Sequence, residues 1–126
     1  MLYIEDLKSA YKAKRIVDQT EKRIEKLKES KGKATSKQKL ESISAEIEML
    51  ELKAAMMYGN IHNTVQFIDD CDDVFISEAM YHRFLLGESW DGVACALGGY
   101  NSPDCIKMMV SRYLKKKGVT RRAGEE

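Results

Sequence analysis

Apolar residues recur along the first half of this chain at alternating spacings of three and four. Leu40, Ile43, Ile47, Leu50, Ala54, Met57, Ile61, Thr64 and Ile68 keep that rhythm without a slip, and only Thr64 among them is polar. Such a run is the seam of a long helix packed in coiled-coil fashion. With Ser36 as N-cap it predicts a helix from about 36 to about 70, roughly 50 Å long at the usual rise per residue. Upstream, Ala10, Ala13, Val17, Thr20, Ile24 and Leu27 repeat the spacing with weaker residues, and Ile4, Leu7 and Tyr11 form a second stripe beside them. The polar segment Ser30–Ser36, with Gly32 inside it, reads as the loop of an antiparallel helical hairpin. Two helices are not expected to cover two long seams completely. Self-association through Leu40, Ile43, Ile47, Leu50, Ala54, Met57, Ile61 and Ile68 is therefore expected, with a dimer as the first choice.

Beyond residue 70 the pattern shortens. Val74–Met80 opens a helix that Gly87 closes. A short helix follows, capped by Ser89, with Trp90, Val93, Ala94 and Leu97 turned inward. Gly98-Gly99 breaks the chain, and Ser102-Pro103 launches a last helix, with Ser as N-cap and Pro at the first helical position. A short helix, a turn and a basic second helix make a helix-turn-helix. Trp90 is expected to plug a three-helix core with Phe84, Ile106, Val110 and Leu114; stacking on a nucleic-acid base is its weaker alternative. The expected fold is all-α, with a hairpin over 1–70, a helix-turn-helix over 73–117 and a mobile basic tail over 118–126.

Charge sharpens this picture. The net charge of +1 averages over segregated blocks: 13 basic and 10 acidic residues in 1–53, 1 and 7 in 54–100, and 7 and 3 in 101–126. The basic end coincides with the last helix, where a phosphate-binding patch belongs. Cys71, Cys95 and Cys105 show neither disulfide nor zinc spacing and are expected to be buried free thiols. Asp69-Asp-Cys-Asp-Asp73 lacks the alternation and the glycine of a calcium loop, and serves better as N-terminal charge for the helix after it. His62 and His82 belong to no catalytic pattern, and no phosphate-binding glycine loop is present. No enzyme activity, metal or cofactor is expected. The start, Met1-Leu-Tyr-Ile-Glu-Asp-Leu, has no signal-peptide pattern, and no apolar run approaches a membrane span, so the expected location is cytoplasmic.

From Tyr81 onward the residues resemble the fourth region of sigma-70 factors, and more closely the sigma-like regulators of phages and prophages of Gram-positive bacteria, of the ArpU/RinA type. The resemblance rests on Phe84-Leu-Leu-Gly-Glu-Ser-Trp-Asp-Gly-Val-Ala94 and on Ser102-Pro-Asp-Cys-Ile-Lys-Met-Met-Val-Ser-Arg-Tyr-Leu114 with Lys115-Lys-Lys117 behind it. It implies sequence-specific binding of double-stranded DNA and transcriptional regulation, with RNA polymerase as a possible partner. The base-reading face it implies comprises Pro103, Asp104, Lys107, Met108 and Ser111. Pro103 and Met108 stand where the family carries long polar residues, which leaves Asp104 and Lys107 as the principal readers. Phosphates fall to Ser102, Arg112, Lys115, Lys116, Lys117, Arg121 and Arg122. Two alternatives share the pattern. One is a small-terminase-like packaging protein that assembles into a ring. The other is an adaptor that binds RNA polymerase or another protein without touching DNA.

Overall fold

Both periodic stretches fold as long helices, joined by three residues. A computed structural model describes residues 2–122: α1 (Ile4–Lys33), α2 (Lys37–Asp69), α3 (Val74–Met80) widening into a π turn over Tyr81–Leu85, α4 (Trp90–Leu97) and α5 (Pro103–Lys116). The architecture is all-α, a hairpin-like pair followed by shorter helices. At the start of α1, Asp6 reaches back to accept the Tyr3 amide at 2.8 Å. That contact satisfies one of the donors a helix start leaves open. At its far end α1 runs through Gly32, past the expected loop start at Ser30, with Lys31 and Lys33 in its last turn, where cations suit the helix dipole.

The chain divides into two compact units: residues 12–60, and residues 2–11 with 61–122. In the first, Ile24 of α1 packs with Ile43 and Ile47 of α2, flanked by Leu27, Ala34 and Leu50. The Tyr58 hydroxyl donates to Glu21, which raises the Tyr58 pKa above its ordinary value.

Every seam position expected to seek a second chain is buried or half-buried within one chain. Ile43, Ile47, Ala54 and Ile68 are buried, while Leu40, Leu50, Met57 and Ile61 stay partly exposed. Ala13 and Ala54 are only 5% and 6% exposed, and side chains that short are covered only when their neighbours lie close. The outward positions Met49, Leu52 and Met56 of α2 are exposed instead.

In the second unit, Leu7 and Ala10 of α1 and Ile68 of α2 join Met80, Phe84, Val93, Ile106, Val110 and Leu114 in one core. Burying each large aliphatic side chain there is worth roughly 1.5–3 kcal/mol relative to exposure. The expected boundary near residue 70 moves accordingly. The last turns of α2 and the first turns of α1 belong to the unit that holds the short helices, because their apolar faces close its core. The tail expected to be mobile is docked as far as residue 122: Val119 is buried, and the Thr120 carbonyl accepts the Ile4 amide at 3.0 Å. Residues 123–126 of that tail lie outside the described residues.

Asp73 caps α3 by accepting from the Ile76 amide at 3.1 Å, the helix-starting role expected of the acidic run. Among the described residues no group of three His, Cys, Asp or Glu side chains could hold a metal ion. Among the described residues no helix is long and apolar enough to cross a membrane.

Candidate nucleic-acid interface

Two serines and two glycines set the orientation of α5. Ser89 accepts from the Gly92 amide at 3.1 Å and starts α4; Ser102 accepts from the Cys105 amide at 3.1 Å and starts α5 behind Pro103. Between them Gly98 and Gly99 take φ of +66° and +81°, a left-handed region that costs other residues steric strain. Ile106, Val110 and Leu114 then hold the inner side of α5. At 3.6 residues per turn the outer side falls to Asp104, Met108, Ser111, Arg112 and Lys115, all exposed.

The two flanks of α5 differ in charge. On one, Lys107 and Ser111 line a cleft of about 300 Å³ with Ile4, Lys8, Arg83, Phe84, Trp90 and Arg121. On the other, Arg112, Tyr113, Lys116 and Lys117 line a cleft of about 400 Å³ with Asp72 and Asp73. Burial, a hydrogen bond with Cys71 and the charges of Asp72 and Asp70 push the Tyr113 hydroxyl up to about 12. Asp72 and Asp73 thus face one flank of the helix, whereas the described lining of the other carries basic but no acidic residues.

The candidate base-readers Asp104, Lys107, Met108 and Ser111 all lie exposed on α5, with Lys107 and Ser111 turned towards the cationic flank. Arg112, Lys115 and Lys116 are exposed on the same helix, and Lys117 closes it with its ammonium 5.8 Å from the Tyr113 ring. Ser102, expected at a phosphate, spends its oxygen on the helix cap. Arg122 is also engaged within the chain. Its guanidinium pairs with Asp6 at 2.7 Å and lies 5.5 Å from the Tyr3 ring, and its amide donates to Glu5.

Lys8 and Arg83 were missed at the sequence level. Arg83 donates to the Glu88 carbonyl at 3.0 Å and lies 5.0 Å over the Trp90 ring. Trp90 is half-buried at the edge of the core, and so is not the internal plug expected. Cys95 and Cys105 are exposed, and only Cys71 is partly buried, which corrects the expectation of three buried thiols. His62 is exposed, and His82 contacts Glu88 at 3.2 Å.

Comparison with protein-family models, with curated proteins and with solved structures finds no match to this chain.

The tail contact gives the first testable consequence. Burial works against ionisation of Asp6, but the Tyr3 amide and the Arg122 guanidinium outweigh it and hold the carboxyl below its ordinary 3.8. A carboxylate depressed on folding stabilises fully above that value and loses its contribution as pH falls through the lower folded pKa. The side-chain carboxyl resonance of Asp6 should therefore titrate below pH 3.8 in the native chain, and its midpoint should rise in Arg122→Ala. A midpoint unchanged in that variant would remove this ion pair from the docking of the tail.

Proposed function

We propose that this chain is a sequence-specific double-stranded-DNA-binding protein, a transcriptional regulator of the phage sigma-like kind that residues 81–117 resemble. In this reading α5 enters the major groove. One observation carries it: the outer face of α5 is exposed and basic, and it projects from a short-helix, turn, long-helix unit. That arrangement presents Asp104 and Lys107 to base edges while Arg112, Lys115 and Lys116 meet phosphates on either side. RNA polymerase is a further partner in this reading.

The test separates position from charge. Selection from a random duplex library supplies the preferred site. Lys115→Ala should weaken binding about equally on every duplex and flatten the salt dependence by about one unit of slope. Asp104→Ala should behave oppositely. It removes a repulsion and so tightens binding to random duplex, yet it loses about 1–3 kcal/mol of discrimination at one base pair of the preferred site. Recovery of no enriched sequence would sink the regulator and leave the protein-binding adaptor. A closed ring in solution, measured by mass, would favour the packaging protein.

A further inference from the structure

The cationic cleft beside α5 has a chemistry that duplex reading does not require. Lys8, Arg83, Lys107 and Arg121 converge on it from four separate segments, and none of its described lining residues is acidic. No ion pair among the described residues engages Lys8, Lys107 or Arg121. Arg83 is already oriented by its bond to the Glu88 carbonyl and its place over Trp90, so little freedom remains to be lost on binding. Four like charges with no counter-charge in a concave site concentrate anions, and an arginine fork suits the oxygens of a phosphate.

The cleft is also too large for a bare phosphate. At about 300 Å³ it falls at the small end of ligand pockets. Phe84, Trp90 and Leu114 add apolar lining beside the charges, and Ser111 adds a hydroxyl able to donate to an anion. We propose that this cleft binds a phosphate carried on a flat or apolar group, of about mononucleotide size. The source is a free nucleotide or a nucleoside-phosphate unit of a nucleic-acid chain. The proposal stands independently of whether α5 reads base sequence.

Trp90 is the only tryptophan of the chain, so its emission reports this cleft directly. The full chain is titrated with adenosine monophosphate, with inorganic phosphate and with a duplex oligonucleotide, in the native form and in Lys8→Ala/Arg121→Ala. Adenosine monophosphate is expected to change the emission saturably, and the double variant to bind it about tenfold more weakly for each cation lost. Circular dichroism checks that the double variant remains folded, and Lys53→Ala, an exposed α2 lysine, controls for net charge. A response to duplex alone, weakened by the same variant, assigns the phosphate to a nucleic-acid chain. Equal affinity for inorganic phosphate overturns the mononucleotide-sized ligand. Absence of any response, or a response unchanged in the double variant, overturns the site.

Discussion

Replacing Ile43 and Ile47 together by Asp is expected to melt residues 12–60 and leave the environment of Trp90 native. Both isoleucines are buried against Ile24, at 8% and 6% exposure, in a cluster of aliphatic side chains. Two charges in so dry a contact cost on the order of 5 kcal/mol or more, which exceeds what a short two-helix contact can absorb. The core that holds Trp90 shares no residue with this cluster, so its signal should persist. Circular dichroism should lose the helix contributed by residues 12–60, while tryptophan emission and its urea midpoint stay where they were. Simultaneous loss of both signals would show that the two cores are not separately stable. A native dimer turned into a fully helical monomer by the same substitutions would return the seam to its intermolecular role.

The second large effect belongs to Gly87→Ala, at the end of the π turn. Gly87 has φ of +71°, and a Cβ there would lie 2.6 Å from the ring of Tyr11, far inside van der Waals contact. The left-handed backbone costs an alanine about 1–2 kcal/mol, and forcing an atom into a packed contact adds about 1–3 kcal/mol. A loss of about 3 kcal/mol is expected in urea unfolding followed by Trp90 emission, summing those two costs. Gly118→Ala is the control. Its φ of +75° is close to that of Gly87 but its Cβ would meet nothing within 4 Å, so no ring contact adds to the backbone cost. Combining Gly87→Ala with Tyr11→Ala should remove the extra part of the penalty, since the two are in contact. Equal losses at Gly87 and Gly118 would mean that the ring gives way freely.

Reading the chain locally worked wherever one short segment contains its own cause. The seam from Leu40 to Ile68 shows the helical period in its own residues, and α2 spans Lys37–Asp69 as the spacing requires. Ser89 and Ser102 are caps that act on amides three residues away, and both caps are formed. The faces of α5 follow from Ile106, Val110 and Leu114, so the exposure of Asp104, Met108 and Arg112 was legible without coordinates. These features obey rules of near neighbours, and a linear sequence states near neighbours explicitly.

Tertiary packing decided what depends on distant partners. Periodicity marks a face as buried but does not name what covers it; only the folded chain sets Ile24 of α1 against Ile43 and Ile47. Leu7 and Ile68 joined the short-helix core because of where α1 and α2 begin and end in space, which moved the boundary between the units away from residue 70. The same proximity bound Arg122 to Asp6 and brought Lys8 beside Arg83, Lys107 and Arg121. A charge is placed in a sequence by its number along the chain, whereas its energy depends on distance in space, and only the folded chain supplies that distance.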